Sequence, residues 1–187
     1  AEAAYREALR IDPTRQDAAT NLANLLRAVG RPAEALPLLE RIVQGDPGAD
    51  SVGNLALALI DVNRPAEARQ VALEAVRRSG SDPRWIEVAA IAARLSGDSD
   101  TACDELLPQV DQGRATETGA FEAAQAAEAV GDDDAARRSY AAALRLAPAW
   151  ERLVWSDALS LPAFIDGSEQ ARAQLARFTE GVERLGQ

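Results

Sequence analysis

Residues 1–13 read Ala1-Glu2-Ala3-Ala4-Tyr5-Arg6-Glu7-Ala8-Leu9-Arg10-Ile11-Asp12-Pro13, and the same pattern returns as Ala35 to Pro47 and as Ala136 to Pro148, with degraded copies beginning at Ala68 and Ala102. The leading alanines step by 34, 33, 34 and 34 residues. A fixed period of that length marks a repeat architecture, in which each unit buries its apolar face only against its neighbours. Four residues after each alanine stands Tyr5, Leu39, Ala72, Leu106 or Tyr140, and three further on Ala8, Ile42, Ala75, Gln109 or Ala143. This i, i+4, i+7 stripe is one face of a helix.

Between these helices the sequence predicts a second set, ending at Gly30, Asn63, Gly97 and Gly131, each five residues before the next leading alanine. Gly and Asn tolerate the left-handed backbone that closes a helix. Eight residues before each stop come Leu22, Leu55, Ala89 and Ala123, followed directly by Ala23, Ala56, Ala90 and Ala124. Four alanines in one register predict a close crossing of paired helices, where a larger side chain would hold the backbones apart. Pro13, Pro47 and Pro148 punctuate the ends of the helices that carry the leading alanines.

The order Leu22-Ala23, Leu26, Gly30, Ala35, Leu39, Ile42, Pro47 resembles the tetratricopeptide repeat. The resemblance spans Ala1 to Trp150. It is weaker at Gly80 and Arg114, where the family's proline is absent, and the family's tryptophan is replaced by Ala19, Val52, Ile86 and Ala120. The resemblance implies an all-α fold, a right-handed α-solenoid of antiparallel helix pairs forming a superhelix. Residues 1–150 are expected to hold the array: a half repeat at 1–15, then repeats of about 16–49, 50–83, 84–117 and 118–150. Residues 151–187 are expected to form terminal helices and a capping or junction segment. The chain opens in mid-repeat and without Met, which suggests a piece of a longer protein. An end helix lacking its partner should fray.

Composition limits the chemistry. The 187 residues carry 20 basic and 30 acidic groups, a net charge of −10, which disfavours phosphate backbones and anionic lipid. Apolar residues make up 47%, enough for a packed core, and no window approaches a membrane span of ~20 apolar residues. We expect a soluble, cytoplasmic protein with no nucleic-acid or membrane partner. Histidine is absent and Cys103 is the lone cysteine, so zinc sites, Ser-His-Asp triads and Cys-His pairs are out of reach. The chain is expected to be no enzyme and to need no cofactor or metal. Cys103, beside Ala102 on a predicted helix, reads as a small buried residue rather than a nucleophile. Asp98-Ser99-Asp100 and Asp132-Asp133-Asp134 lack the spacing of an EF-hand loop and read as helix caps.

In such an array the first helix of each pair lines a groove. Asn21 and Asn54 occupy equivalent places 33 residues apart, and Asn24 lies on the same face as Asn21. A carboxamide offers both a donor and an acceptor, matching a peptide backbone whatever its side chains. Asn21, Asn24, Arg27, Asn54, Glu122 and Gln125 are therefore the candidate groove residues for an extended polypeptide partner. Three side chains at a net ~0.5–1.5 kcal/mol per hydrogen bond fall short of the ~8 kcal/mol of a micromolar complex, so further contacts must contribute.

The asparagine row resembles that of the O-linked N-acetylglucosamine transferases. Another use of the family groove, clamping a chaperone's terminal carboxylate with paired basic residues, is disfavoured: the comparable positions hold Thr20 and Ala28, and the chain has no lysine. The string Leu161-Pro162-Ala163-Phe164-Ile165, Ser168, Arg177-Phe178, Gly181 and Leu185 is similar to the junction between repeats and glycosyltransferase region in bacterial SPINDLY-like proteins. That resemblance implies a second expectation: an acceptor-recognition region of a bacterial protein O-glycosyltransferase whose catalytic domain is absent from this chain. A third is homo-oligomerisation through the terminal helices, with Tyr5 and Ala8 docking on another copy.

Overall fold

A computed structural model describes residues 1–45 and 48–148. Nine helices run among the described residues: α1 (Glu2–Ile11), α2 (Gln16–Ala28), α3 (Pro32–Val43), α4 (Ala49–Asp61), α5 (Pro65–Ser79), α6 (Pro83–Leu95), α7 (Ser99–Asp111), α8 (Glu117–Val130) and α9 (Asp133–Leu146). No strand accompanies them among those residues, so the all-α helical-repeat expectation holds. No helix there is long and apolar enough to cross a membrane. The chain divides into two compact units, Ala1–Ser96 and Gly97–Gln187. Pro47, Trp150, and the terminal helices, cap and junction-like string of 151–187 lie outside the described residues.

In the first unit consecutive helices pack on one another from α1 to α6. The four alanines of the first-helix register, Ala23, Ala56, Ala90 and Ala124, are all fully buried. So are Ala35, Ala68 and Ala102 of the other register, and Ala136 is 1% exposed. Small side chains at both registers let the helices approach closely, and Leu22, Leu26, Leu39 and Ile42 fill the space beside them. Gln109, in the register of Ile42, is also buried; its amide donates to the Glu105 carbonyl at 3.3 Å.

The stops behave as their residues dictate. Gly30, Gly97, Gly131 and Asn63 all have positive φ, Asn63 at 59°. At three of these ends an amide reaches back five residues: Arg31 to the Leu26 carbonyl at 2.8 Å, Arg64 to Leu59 at 2.8 Å and Asp132 to Ala127 at 2.9 Å. This is the Schellman closure, which satisfies carbonyls the helix leaves orphaned. Where the repeat lacks its proline, Gly80 and Gly113 supply the stop, with φ of 68° and 66°.

The acidic runs are caps as expected. The Asp98 carboxylate accepts from the Thr101 amide at 3.1 Å, and Asp132 from the Ala135 amide at 2.9 Å. In the second unit, α7 packs on α8 and α8 on α9. Phe121 and Tyr140 join α8 to α9, their rings 6.0 Å apart, and the Tyr140 hydroxyl donates to Glu128 at 2.9 Å.

Candidate groove of the first unit

The site grows from how α2, α4 and α6 are placed. Each is the first helix of its repeat; α2 touches α4 and α4 touches α6, while the second helices α3 and α5 approach one another less closely. A row of three parallel first helices results, its outward surface set by the residues that the alanine register leaves facing away from the partner helix.

One contact fixes the spacing of α4 and α6. Gly53 on α4 faces the Trp85 ring of α6 so closely that a Cβ there would lie 2.2 Å from Cζ3 and 2.4 Å from Cε3 and Cη2. Trp85 is 5% exposed and packs against Val52, Ala56, Ala72, Ala75, Val88 and Ala89. The start of α6 is tied down as well. Asp82 caps it by accepting from the Arg84 amide at 2.9 Å, and the Arg84 guanidinium reaches Asp82 at 2.9 Å and Asp50 of α4 at 3.3 Å. That guanidinium also lies over the Trp85 ring, 5.1 Å from its centre. The Asp82 carboxyl is held below its ordinary pKa, chiefly by the hydrogen bond from Arg84.

On this row Asn21 and Asn24 of α2 are exposed and Asn54 of α4 is half-buried. Arg27, half-buried, donates to Asp61 of α4 at 2.6 Å. The sequence reading placed Arg27 in the groove without its partner; the structure makes the pair a crosslink between two first helices, bordering the asparagines at their C-terminal end. The asparagine register ends at two members, because its place in α6 is taken by Val88, which is 6% exposed. Glu122 and Gln125, both half-buried, sit on α8 in the second unit. The four remaining candidates thus come together on α2 and α4 of one body, and these two belong to the other.

Sequence reasoning missed Asp61, Leu57, Ile60 and Ile91. Leu57 and Ile91 hold the place of Asn24 in the next two repeats, Ile60 lies one turn beyond Leu57, and all three are half-buried. The repeat register alone would have placed them on this face; their aliphatic character made them read as core. Cys103 is buried, and burial together with Asp100, Asp104 and Asp132 raises its thiol pKa, so it is a poor nucleophile. No cluster of three or more metal-ligating side chains occurs among the described residues.

The family profile described as "Tetratricopeptide repeat" matches residues 1–50 and 20–83. No curated protein matches the sequence. Among solved structures, the chain is similar to YrrB, titled a TPR protein with an unusual peptide-binding site, at 18% identity and a TM-score of 0.65 over 82% of this chain and 79% of that one. It is similar to a tetratricopeptide repeat protein from Parabacteroides merdae at 14% identity and a TM-score of 0.71, over 99% of this chain and 71% of that one. It is also similar to the human IFIT1 dimer solved with m7Gppp-AAAA, at 16% identity and a TM-score of 0.70, over 98% of this chain and 45% of that one. At such identities the likeness is one of fold. The last of these has a nucleotide ligand in its title, so an argument against nucleic acid rests on this chain's charge and not on its fold.

Proposed function

We propose, for a chain whose residues 1–83 belong to the tetratricopeptide-repeat family and whose described helices keep that fold to residue 148, that it is a scaffold holding an extended polypeptide along α2 and α4. The observation that carries this is the grouping of Asn21, Asn24 and Asn54 on adjacent first helices, beside the Arg27–Asp61 pair. Carboxamides there meet backbone amides and carbonyls in alternation, which favours binding that depends little on side-chain identity. A similar fold with a peptide-binding site in its title is consistent with this reading. The test replaces all three asparagines by alanine and measures the affinity of peptides selected from a random display library on the unaltered chain. Loss of three hydrogen bonds at ~0.5–1.5 kcal/mol each, with about 1.4 kcal/mol per decade, predicts weakening of roughly 10- to 1,000-fold at unchanged helicity. Unchanged affinity refutes the site.

The narrower reading, in which the groove brings acceptor proteins to a glycosyltransferase domain, rests on residues 161–185 and gains nothing from the fold. A second reading has an observation behind it. Ala1, Tyr5 and Ala8 correspond to Ala35, Leu39 and Ile42, which are buried, yet Ala1 is exposed and Tyr5 and Ala8 are half-buried. Tyr5 packs partly against the cluster around Leu22 and Leu39, so it is less open than the sequence reading assumed. Self-association through this face predicts a mass by light scattering that rises with concentration; a constant monomer mass removes it.

A further inference from the structure

We infer that the row formed by α2, α4 and α6 selects a polypeptide segment that is itself uncharged over about five or six residues and places an aliphatic side chain against Leu57, Ile60 and Ile91. This rests on the groove reading above and adds what the groove takes.

Charge is distributed unevenly over the first unit. The second helix α5 alone carries Glu67, Arg69, Glu74, Arg77 and Arg78, with ion pairs from Arg64 to Glu67 and from Arg77 and Arg78 to Glu74. By contrast α2 has no charged residue from Ala18 to Leu26, α4 none from Ser51 to Ile60, and α6 none from Val88 to Ala93. In a chain with 27% charged residues, three aligned gaps leave a charge-free band across the row. The charges that border it on α2, α4 and α6 answer one another: Arg27 and Asp61 at 2.6 Å at one edge, Asp50 and Arg84 at 3.3 Å at the other.

A ligand charge laid on the middle of this band gives up hydration and meets no opposite charge, an arrangement that binding cannot repay. Ligand backbone laid there meets the carboxamides of Asn21, Asn24 and Asn54 instead. The band also has a direction. At one repeat position it reads Asn24, then Leu57, then Ile91, so it is polar on α2 and aliphatic on α4 and α6. Leu57 and Ile60 pack against the core with one side and are only half-buried, as is Ile91, leaving apolar surface open on the α4–α6 step. An uncharged aliphatic side chain covering that step releases water and adds ~25 cal/mol per Å² buried. Neighbouring helices sit roughly 8–10 Å apart, so three span about 16–20 Å, which extended chain at ~3.3 Å per residue crosses in five or six residues.

The experiment pans a random 12-residue display library against the full chain and measures selected peptides, resynthesised with fluorescein, by anisotropy. The expected winners carry a run of about five uncharged residues containing Leu, Ile, Val or Phe. Replacing that residue by Asp or Lys should weaken binding at least tenfold, and so should Leu57→Asn with Ile91→Asn in the protein. Leu57→Ala serves as the milder variant should the double change unfold the chain, and Arg77→Ser should leave binding unchanged. Winners with charged centres, or binding indifferent to Leu57 and Ile91 yet lost in the triple asparagine variant, would overturn this inference while leaving the groove intact. Absence of any winner, or indifference to the asparagines, would overturn both.

Discussion

Replacing Gly53 by alanine sets two physical effects against each other. In a helix interior alanine is favoured over glycine by about 1 kcal/mol, so propensity alone predicts a more stable protein. The structure predicts the reverse. The new methyl would sit 2.2 Å from Trp85 Cζ3, against an ordinary contact near ~3.5–4 Å, and the ring cannot yield freely because it is 5% exposed and enclosed by Val52, Ala72 and Val88. Overpacking of this kind costs about 1–3 kcal/mol, with the ~3–5 kcal/mol of a lost tryptophan as the ceiling. A contact this short on a confined ring belongs at the upper end, leaving a net loss of about 1–2 kcal/mol. For a chain of 187 residues that is a fall in thermal midpoint of roughly 2–8 °C, read by circular dichroism at 222 nm. The decisive comparison repeats Gly53→Ala in a Trp85→Leu background, where the clash is gone and the substitution should stabilise. A higher midpoint for Gly53→Ala alone, or no coupling between the two sites, refutes the account of how α4 and α6 are spaced.

Three further outcomes are expected. Asn63 sits at φ 59°, a conformation that costs a Cβ-bearing residue without a local hydrogen-bonding side chain about 1–2 kcal/mol, so Asn63→Ala should lower the midpoint while Asn63→Gly holds or raises it; equal effects would remove the role of the left-handed stop. Glu2, Glu7, Glu34, Glu67 and Glu74 are all held below their ordinary value of 4.5, chiefly by hydrogen bonds from neighbouring arginines. A depressed folded pKa gives stability that is present above the unfolded value and lost as pH falls through the folded one. Urea midpoints should therefore drop progressively below about pH 4.5 and, because these pairs are exposed, respond to added salt; a flat profile from pH 5 to 2 would contradict the pairing. Amide exchange should be fastest in α1, which buries no residue, and uniform protection from residue 2 to 43 would show that the end helix is held as firmly as the rest.

The repeat, the helix pairs and the left-handed stops were legible in the sequence because each is a local rule recurring at fixed spacing: an i, i+4, i+7 stripe, a small residue at the crossing, a Gly or Asn where φ turns positive. The carboxamides were legible for the same reason, since the register that placed Leu22 and Leu55 inside also placed Asn21 and Asn54 beside them. What stayed hidden depends on side chains from different repeats meeting. Nothing local about Arg27 names Asp61 as its partner, and nothing in the composition of α4 says that the missing side chain of Gly53 makes room for a tryptophan 32 residues away. Leu57, Ile60 and Ile91 read as core in sequence because an aliphatic residue looks alike inside a helix pair and on its outer edge. Periodicity along the chain therefore determined the helices, their pairing and their buried faces. The packing of α2, α4 and α6 side by side decided which charges cancel, which helices draw close, and where a surface without charge is left open.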